Sequence, residues 1–521
     1  MEQRVIGPPG CGKTTWLGRQ VKRAVDDGKG VLVASLTRAA ASEAAGRNLP
    51  IPARHVGTLH SHCYQSLGRP SLTVDKKNVE DWNSRYPEWT LSSSDDRIDG
   101  DNLDDAGSSP GDKLMATYQV LRARMATVYP IEIDRLATAW NAWKAEAGLM
   151  DFTDLIEQSL DTVPTAPGNP SVIFLDEAQD MDLLEMSLAR KWGEAAGYLV
   201  VVGDPDQNLY QWRGSDPEAF TEPAVPDDQM RVLSQSYRIP QAVHTAAVRW
   251  IEQTPGRTPV EYYPRDVEGE VRTLSAPWPH AELILNDMQK YLAEGKSVMV
   301  LASCAYMLRP MLGRLRKEGI PYHNPYRRNK GAWNPLQSSR RRITPKDLVL
   351  AFLRMSEEGI WTAEDMKKWL AATRIGGVLQ GSRGTLDSLT DEGPAGVNWD
   401  HLHNLLTDPA IDAGLSGDLD WLRENLLGAR QKGAAFAIRV AEAHGAETLT
   451  RTPQIIAGTI HSVKGGEADV VYLFPDLSYA GMTEWLGNGK AAVRRLFYVG
   501  MTRSRESLIL CQRASSRSVA L

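Results

Sequence analysis

The run Gly7-Pro8-Pro9-Gly10-Cys11-Gly12-Lys13-Thr14, followed by Thr15, fits the pattern G-x-x-x-x-G-K-[ST]. In such a loop glycines let backbone N–H groups close around phosphate oxygens, a lysine reaches the β- and γ-phosphates, and a hydroxyl ligates Mg²⁺. Lys13 and Thr14 hold those positions here. A second run, Ser171 to Asp180 (SVIFLDEAQD), is an apolar strand that ends in adjacent carboxylates. Asp176 is placed to hold Mg²⁺, and Glu177 to orient or deprotonate a water. Together the two runs point to hydrolysis of a nucleoside triphosphate. A Gly-rich turn and a capped strand end with no ligand is the weaker reading.

Two further stretches narrow the chemistry. Gly203 to Gly214 (GDPDQNLYQWRG) follows a strand. Gln207 stands where a strand-end amide can sense a γ-phosphate. Tyr210 and Trp212 are two aromatics beside Arg213, outside any apolar run. Aromatics in that setting suit stacking on unpaired bases, worth about 1–3 kcal/mol per base; core packing is the alternative. Gln235 to Arg238 (QSYR) and Arg494 to Ser504 (RRLFYVGMTRS) supply arginines. An arginine brought to a γ-phosphoryl group from a second domain contributes on the order of 10³–10⁵ in rate.

These residues need strands and helices to hold them. Arg4 to Ile6 leads into the P-loop, and Thr15 to Val25 reads as a helix whose N-terminus faces phosphate. Gly30–Ser35, Val172–Leu175 and Tyr198–Gly203 read as buried strands, and Thr37 to Ala45 as a helix. Between them, residues 66–165 show helical patterns, Leu114–Thr127 and Ile133–Ala147, with Trp140 and Trp143 on one face. The layout then repeats. Glu270–Leu274, Ser297–Ser303, Ile455–Ile460, Val470–Phe474 and Leu508–Cys511 read as strands, interrupted by a mostly helical stretch. An α/β core carrying a helical insertion, twice over, accounts for this order.

Composition sets the outer limits. A chain of 521 residues exceeds the roughly 250–300 at which single cores stop growing, so several domains are expected. With 42% hydrophobic and 24% charged residues the chain reads as globular. No apolar run approaches the roughly 18 residues of a membrane helix. The N-terminus enters a strand almost at once, so no signal peptide is expected. The four cysteines, Cys11, Cys63, Cys304 and Cys511, are scattered without a C-x-x-C pair, so a disulfide framework or zinc site is not expected. The expected setting is cytoplasmic. Net charge is −6, which argues against generic polyanion binding, but charge is patchy. Residues 91–112 hold seven Asp and one Arg, as a solvated loop would. Residues 327–346 hold seven cations and no acid, including Arg340, Arg341 and Arg342, and face either phosphates or solvent.

Taken in order, these segments resemble the superfamily 1A DNA helicases of the UvrD/Rep type, nearly end to end. GPPGCGKT resembles motif I, Val33–Ala45 motif Ia, and Val56–Tyr64 the DNA-contacting motif that follows. Gly148–Ile156 resembles the segment before motif II. FLDEAQD resembles motif II, VVGDPDQNLYQWRG motif III, LSQSYR motif IV, Gly458–Leu473 motif V and YVGMTRS motif VI. The resemblance implies two RecA-like P-loop NTPase cores, 1A (1–65 and 166–228) and 2A (229–330 and 453–521), with mostly helical insertions 1B (66–165) and 2B (331–452). It implies that Gln207 contacts the γ-phosphate, that Arg238 and Arg503 act as fingers, that Tyr237 stacks on adenine and that Glu467 approaches the ribose. Thr37, Thr58, His60, Tyr210, Trp212 and His461 would lie on a single strand.

The chain departs from that family in three places. It begins too close to Gly7 to carry the adenine-reading Gln motif, so loose base discrimination is expected. Leu36 stands where a stacking Phe is usual. Gly466 and Ala468 flank Glu467 where Leu and Phe are usual. With eighteen residues after Arg503, no nuclease domain or long tail is expected. The resemblance implies an ATP- and Mg²⁺-dependent DNA helicase that moves on single-stranded DNA, 3′ to 5′, engages single–double-strand junctions and has no membrane partner. The alternatives are a DNA-stimulated translocase that remodels nucleoprotein without processive unwinding, and a recruitment module with a vestigial ATPase. Intact Lys13, Asp176, Glu177, Gln207 and Arg503 speak against the last.

Overall fold

The computed structural model describes residues 1–36, 49–92, 109–327, 331–337, 343–374 and 384–521. Thr37, the expected helix to Ala45, most of the acidic stretch and Arg340–Arg342 lie outside the described residues.

The first core begins with β1 (Glu2–Ile6), β2 (Val31–Ser35) and β3 (Val56–Thr58). Two short strands, β4 (Ser71–Leu72) and β5 (Leu149–Met150), pair with each other in the insertion. The core resumes with β6 (Val172–Asp176), β7 (Leu199–Gly203) and β8 (Met230–Val232). The sheet order is β3-β2-β6-β7-β1-β8, parallel throughout. β2, β6 and β7 are wholly buried, as aliphatic runs covered on both faces must be. Leu17 and Val21 of the helix Lys13–Asp26 pack on one face. Leu188 and Trp192 of the helix Leu183–Ala196 pack on the other. β8 lies past residue 228, where the sequence suggests the first core ends. It is a short, exposed edge strand with no apolar run to mark it.

The first insertion packs the helices Lys76–Arg85, Pro110–Ala123 and Ile131–Ala147 around Trp82, Trp140 and Trp143. Trp82 and Trp140 meet edge to face with centroids 4.8 Å apart. A buried ionic network fastens these helices to the helix Phe152–Thr162, whose Leu155 and Ile156 pack into the first core. Arg122 donates to both oxygens of Asp151, at 3.0 and 2.9 Å, and also pairs with Asp154 and Glu157. Lys144 reaches Asp151 at 2.9 Å and Asp154 at 2.6 Å. Asp151 is also the N-cap of the helix Phe152–Thr162.

The second core opens with a small parallel pair, β9 (Gln235–Pro240) and β10 (Tyr263–Arg265). Its main sheet is built from β11 (Glu270–Leu274), β12 (Val298–Ala302), β13 (Tyr322–His323), β14 (Ile455–Thr459), β15 (Ala468–Leu473) and β16 (Ser504–Cys511). The order is β11-β16-β15-β12-β14-β13, again parallel. β16 starts four residues before the apolar run at Leu508. Its polar Ser504 and Ser507 are buried because the strand is flanked by β15 and β11. On one face of this sheet the hydrophobic core continues without a break into the second insertion, joining Val300 and Tyr472 to Phe352, Trp361 and Trp369.

Candidate active site and nucleic-acid face

The P-loop leaves β1 and enters the helix Lys13–Asp26. Gly7 N donates to Gly203 O at 3.0 Å, tying the loop to the end of β7. Gly10 has φ +76, and a Cβ there would stand 2.6 Å from Arg238 Cβ and from Ser236 Oγ. Only glycine permits both that conformation and that closeness. The contact is made from the second core: Ser236 Oγ and the Tyr262 hydroxyl donate to Pro9 O at 3.0 and 2.9 Å, and Tyr237 N donates to Gly10 O at 2.9 Å. Tyr237 itself is 73% exposed, with its ring edge over Gly12. Lys13 is buried, its Nζ bonded to Gly7 O at 2.7 Å. Thr14 and Thr15 are in the first turn of the helix, half-buried and exposed. Burial pushes the Cys11 thiol up to about 12, so the thiol stays protonated.

Asp176 is buried at the end of β6. Glu177 follows in a left-handed conformation, φ 53, uncommon for a residue with a side chain. A chain of hydrogen bonds runs from this carboxylate. Gln179 Nε2 donates to Glu177 Oε2 at 2.6 Å, and Asp204 N donates to Gln179 Oε1 at 2.9 Å. Gln207 Nε2 donates to Asp204 Oδ2 at 2.7 Å, and Arg503 Nη2 donates to Gln207 Oε1 at 3.0 Å. Burial alone would raise the Glu177 carboxyl, but Lys13, Lys464 and Arg503 hold it well below the usual range. It is therefore ionised at neutral pH. Burial depresses the Arg503 guanidinium, to about 10, with nearby Arg238 adding to the effect.

Lys464 is a site residue that sequence reasoning does not find. Its Nζ pairs with Asp180, donates to Gln207 O at 2.8 Å, and stands 3.8 Å from Glu177 Oε2. It also lies 5.6 Å from the centroid of Tyr210. Gln179 is another, although it sits inside the FLDEAQD run. Arg238 and Glu467, expected to serve phosphate and ribose separately, bond to each other at 2.6 Å, and Arg505 joins Glu467 at 3.3 Å.

Tyr210 is 6.4 Å from Trp212 and 6.4 Å from His461, so the two cores together present an aromatic trio. Trp212 is half-buried rather than fully exposed. Thr58 and His60 make other contacts. Thr58 caps the helix Leu59–Ser66 by accepting from Ser61 N at 3.2 Å. His60 Nδ1 is 3.4 Å from Glu185 Oε1, and its ring meets Phe152 edge to face. Burial and then Arg213 push the His60 imidazole down to about 4, leaving it neutral at pH 7.

The residues fit a nucleoside triphosphate and Mg²⁺. The P-loop is a glycine-built cradle at a helix N-terminus, with a lysine inside it and a buried carboxylate and a hydroxyl on adjacent elements. Among the described residues no group of three or more His, Cys, Asp or Glu forms a metal cage.

Two parallel-sheet cores meeting at a P-loop, with arginines of the second core in the cleft, define a P-loop NTPase of RecA-like cores. Residues 2–224 match the UvrD/REP helicase N-terminal domain, and residues 454–511 match the UvrD-like helicase C-terminal domain. The chain belongs to the UvrD-type superfamily 1A helicases. It is similar to DNA helicase II of Salmonella typhimurium, 27% identical over 31% of this chain and 24% of that one. It is also similar to the ATP-dependent DNA helicase PcrA of Leuconostoc citreum, 27% identical over 35% of this chain and 25% of the relative. The matched segment thus spans about a quarter of those relatives' length. A solved structure of PRRSV helicase overlaps 98% of this chain and 52% of its own at a TM-score of 0.32 and 12% identity, too slight a likeness to carry a comparison. Among the described residues no helix is long and apolar enough to cross a membrane.

Proposed function

We propose that this protein is an ATP-dependent DNA helicase that moves along single-stranded DNA, 3′ to 5′, and opens the duplex ahead of it. The observation that carries this is Lys464, one side chain of the second core placed against Glu177, Asp180, Gln207 and the face of Tyr210. A base arriving on Tyr210, Trp212 and His461 moves the group that sits beside the hydrolytic carboxylates. DNA binding and hydrolysis then share one lever.

Each residue takes a role in that scheme. Lys13 leaves Gly7 O for the β- and γ-phosphates. Asp176 and Thr14 would hold Mg²⁺, which would neutralise phosphate charge there. Glu177, ionised and held by Gln179, orients and deprotonates the attacking water. Arg503 stabilises charge on the γ-phosphoryl oxygens while Gln207 reports its state. Arg238 joins Arg503 once nucleotide draws it from Glu467, freeing that carboxylate for the ribose. Tyr237 stacks on the base. Thr37, Thr58, His60, Tyr210, Trp212 and His461 form the strand-binding face. His60 contributes as a neutral group. Arg340, Arg341 and Arg342 would add phosphate contacts near the junction.

Strand displacement on 3′-tailed, 5′-tailed and blunt duplexes, run beside ATPase assays with and without single strands, tests this. Displacement of the 3′-tailed duplex alone is expected. ATPase activity indifferent to DNA would overturn the proposal. Strong DNA stimulation without displacement of any duplex favours the second reading, a translocase. The unbroken core between the second sheet and its insertion, which limits the insertion's freedom to swing, supports that reading.

A further inference from the structure

Outside the P-loop and the aromatic trio, three cations line one cavity of about 500 Å³. It lies where the helices Arg309–Glu318 and Gly428–His444 meet the turn around Pro335, at the seam of the second core and its insertion. Arg316, Lys432 and Arg439 form its charged rim, and Ala332, Pro335 and Phe436 are apolar parts of its wall. Among the described residues no carboxylate lines it.

The arginines are held by neutral acceptors. Arg316 donates from Nε to the Tyr322 hydroxyl at 2.7 Å and from Nη2 to Ala332 O at 2.7 Å. Arg439 donates from Nη1 to Arg316 O at 3.1 Å. A guanidinium carries five N–H donors, so both keep spare ones. Acids on the same helices are already engaged: Glu318 pairs with Arg314, and Glu442 with Arg423. The two arginines are thus oriented without being neutralised, and Lys432 adds a third, exposed cation, in a chain whose net charge is −6. Fixed donors around an apolar surface suit a phosphate with its sugar and base, and the volume is that of a nucleotide-sized site.

We propose that this cavity is an accessory site for a phosphate-bearing nucleotide unit, supplied by a DNA strand passing the seam of the second core and its insertion. The proposal rests on the DNA reading above. A free nucleotide shares the chemistry and is the other source.

The test uses the full chain with Lys432→Ala and Arg439→Gln combined; Arg316 is kept because it braces Tyr322 and Ala332. Binding of oligothymidine and of a 3′-tailed duplex is measured by anisotropy across a salt series. Removing one phosphate-binding cation lowers the slope of log K against log salt by about 0.7 on single strands or about 0.9 on duplex. A shallower slope on either DNA, with unchanged ATPase at saturating single strand, supports a DNA source. In a second arm AMP is titrated into Lys13→Ala, whose P-loop is disabled. Binding that persists there and disappears on adding Arg439→Gln assigns the cavity to a free nucleotide. Wild-type slopes on both DNAs with no such AMP binding overturn the proposal. If the wild type binds no DNA, the DNA reading has failed separately, and the AMP arm alone decides the cavity.

Discussion

Arg503 of the second core donates from Nη2 to Oε1 of Gln207 in the first, at 3.0 Å, although 296 residues separate them in sequence. Arg503 is 2% exposed and Gln207 4% exposed, so the bond is sealed from solvent. Gln207 also donates to Asp204, which places its amide between a buried cation and a buried acid.

Replacing Gln207 with Ala leaves that guanidinium short of an acceptor. A hydrogen bond to a charged group is worth about 1.5–3 kcal/mol. If the bond serves the transition state, DNA-stimulated kcat is expected to fall roughly 10- to 150-fold, with ATP affinity less affected. Steady-state kinetics on saturating single strands measures this. A change in KM alone would mean that Gln207 only helps to hold nucleotide.

Glu177→Gln keeps the shape of the site and its hydrogen bond to Gln179 but removes the proposed base. Turnover should drop by about 10²–10⁴, while a fluorescent ATP analogue binds within a few-fold of wild type. Turnover within tenfold of wild type would take the base away from Glu177.

Much of this site is legible because its chemistry is local in sequence. The P-loop, the Asp176-Glu177 pair and Gln207 each follow an aliphatic run, and a parallel sheet has to bury such runs. The pairing of Arg238 with Glu467 and the placement of Lys464 are not legible. Those pairs span 229 and 284 residues, and no local pattern distinguishes a cleft lysine from a solvated one. β16 begins ahead of its apolar run for a related reason: its first residues are polar, and only its place between two neighbours buries them. Arg122 gives no sign at all, since its partners lie on a helix about thirty residues away.

Asp180 is expected to make the hydrolytic site sensitive to mild acid. Burial raises its carboxyl, to about 6, with Lys464 opposing and Glu177 adding. Above that value Asp180 is ionised and holds Lys464; as pH falls through it, the pair is lost. DNA stimulation of the ATPase should therefore weaken below about pH 6, and Asp180→Asn should flatten that limb in a pH–rate profile. Glu177 cannot produce it, since its depressed carboxyl stays ionised there. The stability sign is opposite to that of an acid with a lowered pKa. A raised folded value makes ionised Asp180 a cost above about pH 6, relieved as the proton binds.

Arg122→Met should be the most damaging surface-remote change in the first insertion. It removes the cation that faces Asp151, Asp154 and Glu157, leaving only Lys144 for the first two. Stripping one partner from a buried ionic group costs about 3–5 kcal/mol. Thermal unfolding followed by circular dichroism should show a lowered first transition. An unshifted melt would mean that the aromatic core alone fixes the insertion.

Trp212 separates a DNA contact from a packing residue. It lies on a short turn, half-buried, 6.4 Å from Tyr210 and close to the segment that Arg495 touches through Gln211, at 3.4 Å. If it stacks on a base, Trp212→Ala removes about 1–3 kcal/mol of strand binding, a roughly 5- to 150-fold loss of affinity for single strands. In the proposed mechanism basal hydrolysis draws on Lys13, Asp176 and Glu177, none of which touches Trp212, so it should stay near wild type. The concentration of oligothymidine giving half-maximal ATPase should rise while the DNA-free rate holds. If both fall in equal measure, Trp212 is packing that the hydrolytic site depends on, and the strand-binding face must lie elsewhere.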